Sequence, residues 1–151
     1  RHFSDLEHLK AAVGKASRET LGKMMLDALK SAPANKTAKG AIARFLAIGG
    51  AYIDFGIKKS NLSEIAFICF DSPELEPDSP NPSELLMASL TELNEIGCLS
   101  DKNFKIAPMI AWSMVHGFAG LAAQGATGSV QETNASKKDV LLAVLKSLDI
   151  K

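Results

Sequence analysis

Cysteine, tryptophan, tyrosine and histidine are scarce in this chain of 151 residues, which holds two, one, one and three of them. Each shortage removes a class of function. Cys69 and Cys98 stand in apolar surroundings without C-x-x-C spacing, so they read as reduced core residues and favour the cytoplasm. His2, His8 and His116 include no pair spaced as helical metal ligands, so neither a metal nor a cofactor is expected. A nucleophilic serine would need a base and an orienting acid, and no motif brings them together. Gly49 and Gly50 fall inside a helical pattern with no strand before them, which excludes a phosphate-cradling loop. Excess charge is missing too: Lys plus Arg and Asp plus Glu number 17 each. A surface gripping nucleic acid should be basic, because phosphate contacts dominate that affinity, so this portion is no nucleic-acid reader in itself. No signal-peptide pattern opens the chain.

Strand patterns are also lacking. Helical periodicity is present almost everywhere. Ser4 and Glu7 form a capping-box spacing, and a first helix is predicted from about Asp5 toward Ala32, with Leu6, Leu9, Val13, Leu21, Met25 and Leu29 inward. "SAPAN" ends it. A second helix covers "KTAKGAIARFLAIGGAYIDFGIKK", where Ala41, Phe45, Ile48, Tyr52 and Phe55 recur at threes and fours. "NLSEIAFICF" reads as a short buried helix after an Asn61 or Ser63 cap. The stretch "DSPELEPDSPNPSE" has four prolines and five acids, so it is a loop; a solvated connector is the plain reading, and a cover over a cavity is the alternative. Asn81 and Pro82 start another helix, which Gly97 caps.

Ile106 to Ala123 carries no Asp, Glu, Lys or Arg and approaches the length of a membrane span. Pro108, Ser113, His116 and two glycines dilute it, so no membrane is expected; a helix apolar all round also suits a protein centre. After "QGATGSVQETNAS" a last helix is predicted behind a Ser136–Asp139 cap. The fold class is all-α with about six helices and no solenoid repeat.

Trp112 and His116 lie four apart on one helical face, extended by Met109, Ala119, Gly120 and Ala123. The other side carries Ile110, Met114, Phe118 and Leu121. Two apolar sides need two things to pack on, which implies a partner subunit. With Gly117 and the stripe Val140, Leu141, Val144, Leu145 and Leu148, these residues predict a four-helix homodimer interface built from the last two helices. Methionines and aromatics gather in the middle helices. Ordinary core packing and a cavity for an apolar or aromatic molecule both account for them, and the candidate cavity residues are Met25, Phe45, Tyr52, Phe55, Met87, Met109, Trp112 and His116.

"RHFSDLEHL" resembles the junction in TetR-family transcriptional regulators, where the recognition helix ends and a long helix begins. "WSMVHGFAGL", Trp112 to Leu121, is similar to the Trp…His-Gly signature of the C-terminal regulatory domain called WHG. The resemblance implies that residues 1–4 are the remnant of a helix-turn-helix DNA-binding domain, and that 5–151 form a TetR-like domain for ligand binding and dimerisation. It implies operator DNA as a partner through the missing domain, with His2 and more weakly Arg1 on the phosphate backbone. Leu6 stands where the family commonly has lysine. A small-molecule effector would tilt the first helix as a lever and change the spacing of the recognition helices in a repressor dimer. Two other classes remain: a helical carrier of hydrophobic compounds, and an enzyme using His116 as a base with Ser113 or Gln124 as its polar neighbour.

Overall fold

The computed structural model describes residues 4–66 and 74–151, so Arg1, His2, Phe67 and Cys69 lie outside the described residues. Seven helices and no strand occur among those described: α1 Leu6–Ser31, α2 Ala38–Lys58, α3 Ser60–Ala66, α4 Pro82–Glu95, α5 Asp101–Phe104, α6 Ala107–Ala123 and α7 Val130–Ser147.

Local chemistry explains most of the boundaries. Asp5 caps α1, accepting the His8 N–H at 2.8 Å, so the cap sits one residue past the Ser4 expected from the sequence. That bond also holds the Asp5 carboxyl below its ordinary pKa. Thr37 caps α2 through the Gly40 N–H. Asn81 caps α4, with Pro82 in the first turn where its missing N–H costs nothing. At the other end of α4, Gly97 adopts φ +83°, and the Cys98 N–H reaches back to the Leu93 carbonyl at 2.8 Å. That left-handed turn is one a residue with a β-carbon adopts poorly, and it closes the helix.

Two expectations need correction. The final helix starts at Val130, two turns before Ser136, because Ser129 and Glu132 already form a complete reciprocal capping box. The first two turns of α1 do not face inward: Leu6 is 61% exposed and Leu9 38%. The inward stripe of α1 begins later, at Gly14, Ser17, Leu21, Gly22 and Met25.

Helix α2 is the centre of the bundle and touches α1, α3, α4, α6 and α7. It is also the one helix among the described residues long and apolar enough to cross a membrane; half of its most apolar window is buried inside the bundle. Its contact with α6 is tight. A β-carbon at Gly56 would stand 2.6 Å from that of Ala119, so the missing side chain sets the helix separation there. At Gly49 a β-carbon would meet Leu141 Cδ2 of α7 at 2.8 Å, a contact that the flexible end of that leucine can relieve. Arg44 of α2 makes a forked pair with Glu92 of α4 and also donates to the carbonyls of Pro33 and Asn35. Before α4, the proline-rich connector lies against α1. Glu76 pairs with Lys15, and the Pro80 carbonyl fills the space that a side chain at Gly22 would need.

Of the residues expected at a dimer face, Phe118, Val144 and Leu148 are buried within the chain itself, at 8%, 2% and 0% exposure. Helix α7 packs on α6 and α2, and that contact consumes them. Ile110, Met114, Val140, Leu141 and Leu145 are half-buried, whereas Gly117 and Leu121 are exposed.

Candidate ligand cavity

A helix that repeats apolar residues at three and four presents one continuous wall, and three such walls meet here. Phe45, Ile48, Gly49 and Tyr52 come from α2. Pro108, Met109, Ala111, Trp112 and Val115 come from α6, and Pro82, Ser83, Leu86 and Met87 from the first turns of α4. Met25 of α1 and Leu141 and Val144 of α7 complete a cavity of about 320 Å³, within the range of small-molecule sites. Met87, Met109 and Trp112 are 39%, 61% and 40% exposed, which places them at its mouth.

One polar chain runs through the wall. The Trp112 indole N–H donates to the Tyr52 hydroxyl at 2.9 Å, and that hydroxyl lies 2.9 Å from His116 Nδ1. Tryptophan can only donate, so Tyr52 must accept from it, and in the Nε2–H tautomer of His116 the phenol then donates to Nδ1. The Tyr52 and His116 rings meet edge-on, 68° apart, with centroids separated by 6.2 Å. Burial pushes the Tyr52 phenol up to about 12, and the Trp112 bond pulls the other way less strongly. Because this is the chain's only tyrosine, absorbance near the phenolate band reads it alone. The folded protein should titrate near pH 12 and the urea-unfolded chain near 10. The folded pKa is the higher one, so the associated stability, about 2–3 kcal/mol, is complete below pH 10 and lost as pH rises through 12.

Six of the eight residues expected at a cavity line this one: Met25, Phe45, Tyr52, Met87, Met109 and Trp112. Phe55 does not; it is fully buried in the core beside the close approach at Gly56. His116 sits behind the Tyr52 wall and borders a second, more polar cleft of about 420 Å³ with Ser60, Ser63, Glu64 and Gln124. Sequence reasoning missed Ile48, Gly49, Leu86 and Val115 as wall residues. The helical repeat that marked Phe45 and Tyr52 also contains Ile48, which was the available signal. Leu141 and Val144, expected at a dimer face, also form part of the cavity wall. No cluster of three or more His, Cys, Asp or Glu side chains suited to a metal occurs among the described residues.

Residues 45–144, about two thirds of the chain, match the family described as "Tetracyclin repressor-like, C-terminal domain". The chain belongs to that family. Domains of this TetR-like family generally serve ligand binding and dimerisation in regulators. The match spans every wall of the cavity except Met25. A solved structure described as a protein with unknown function from Rhodococcus sp. RHA1 shares the fold, with a TM-score of 0.72 at 22% identity. The alignment covers 94% of this chain and 74% of that one. No curated protein matches the chain significantly.

Proposed function

We propose that this TetR-like domain is the sensing and dimerising part of a transcriptional repressor, whose operator affinity changes when an apolar or aromatic small molecule occupies the cavity. The observation that carries the reading is the cavity itself, about 320 Å³ walled by five helices with Trp112 at its mouth. A route to α1 is also present. Pro82 and Ser83 line the cavity, while the residues just before them bear on α1 at Lys15 and Gly22. An occupant that displaces the start of α4 therefore moves the connector against the helix that would join this domain to a DNA reader. It acts only to the extent that it binds one arrangement better than the other.

Trp112 is the chain's only tryptophan, so its emission reports occupancy directly. An effector should shift that emission to the blue, and in a protein carrying the DNA reader it should lower operator affinity about 5- to 150-fold. An occupant that shifts Trp112 emission but leaves operator affinity unchanged would refute the regulatory reading.

For the homodimer, the reading uses the outer side of α6 and α7, where Gly117 has open space above it and Leu121 is 54% exposed. Leu121→Asp should turn a dimer into a monomer in sedimentation velocity, because an uncompensated charge at the centre of a self-complementary face is repeated twice. A wild-type chain already monomeric at high concentration would contradict it.

A further inference from the structure

We infer that the cavity selects uncharged molecules, taking an alcohol in preference to the carboxylate or ammonium built on the same carbon skeleton. This rests on the ligand-sensing reading above and names the chemical class that the site accepts.

The walls supply nothing to balance a charge. Among the lining residues there is no Asp, Glu, Lys, Arg or His. The charged side chains that flank the wall positions of α2 are engaged elsewhere: Arg44 with Glu92 and two carbonyls, and Asp54 with Lys137 at 2.6 Å. Helix α6 has no Asp, Glu, Lys or Arg from end to end. Of the polar groups that reach the wall, Trp112 is bonded to Tyr52 and Tyr52 to His116, and Ser83 adds an uncharged hydroxyl.

One feature could favour an anion, the N-terminus of α4, whose first residues line the cavity. Its chemistry argues against that use. Pro82 has no N–H, the Ser83 N–H is taken by the Asn81 side chain, and Glu84 puts a carboxylate in the first turn. A charge entering the cavity would shed its hydration and gain no ion partner, which costs several times the thermal energy.

A matched set tests this: n-decanol, decanoate and decylammonium, each below its aggregation concentration at neutral pH, titrated into the full chain and read by Trp112 emission and by melting temperature. Decanol should bind, with both ions at least ~100-fold weaker. Either ion binding as tightly as decanol would overturn the inference. Silence from all three in both readouts would instead remove the ligand-sensing reading and this one with it. A variant addresses the cause. Met87 stands at the exposed mouth, so Met87→Lys offers a cation there without burying it. It should narrow the gap between decanol and decanoate about 10-fold, whatever it does to the two affinities in common. A gap that stays the same would show that the discrimination arises elsewhere, and would overturn the inference.

Discussion

Arg44→Ala is expected to lower the unfolding free energy by about 2–3 kcal/mol, read as a shift in the urea midpoint. The guanidinium holds three things together. It forks onto both carboxylate oxygens of Glu92, and its remaining donors reach the Pro33 and Asn35 carbonyls in the turn between α1 and α2. Deleting it leaves a carboxylate and two carbonyls short of a partner at once. Glu92 keeps some solvent contact, with 29% of its side chain exposed, which holds the loss below that of a fully buried ion pair. Lysine is a poor replacement, because one ammonium cannot reproduce a planar fork. Arg44→Lys should therefore recover less than half of the loss. Full recovery would mean that charge alone, without geometry, fastens α4 to α2.

Gly56→Val should cost about 3 kcal/mol by forcing α2 and α6 apart, again read by urea unfolding. Even a single methyl is too much: an alanine β-carbon would lie 2.6 Å from that of Ala119, and neither group has a flexible end to turn aside. The cause can be isolated by moving the methyl across the interface. Gly56→Ala should destabilise, and combining it with Ala119→Gly should restore most of the loss despite the second helical glycine. If the double substitution were simply additive, the close approach would not be what limits position 56.

What could be read from the chain depended on how local the cause was. Helix α4 was legible because Asn81, Pro82 and Gly97 act on their own neighbours, and the structure uses each of them. The start of α7 was misplaced for a local reason as well. Ser129–Glu132 and Ser136–Asp139 have the same spacing, and the polar run between them has no apolar stripe to favour the earlier one. The all-helical fold followed from periodicity; α5, at four residues, is too short to show any.

The cavity region was legible only as a set of faces. Phe45, Tyr52 and Phe55 share one helical repeat, yet only the first two line the cavity, because α6 closes on α2 at Gly56. That crossing is a property of two helices 60 residues apart in the chain, and neither helix encodes it alone. The same holds for Tyr52, which joins Trp112 and His116 through its hydroxyl. The four-residue spacing placed tryptophan and histidine on one face, and it gave no sign of the third side chain that bridges them. The α7 stripe has the same limit: its repeat shows which residues avoid water, and only packing shows that α6 and α2 cover Val144 and Leu148.

The contact between Gly22 and Pro80 has a mechanical consequence. Sixteen residues of α1 lie on the N-terminal side of Gly22, an arm of about 24 Å at the helical rise. With its fulcrum at that contact, a swing of about 5° displaces the far end by roughly 2 Å, at the same rise per residue. Leu6 and Leu9 at that end are exposed, so resistance to the swing comes from the buried Gly14, Ser17 and Leu21 nearer the fulcrum.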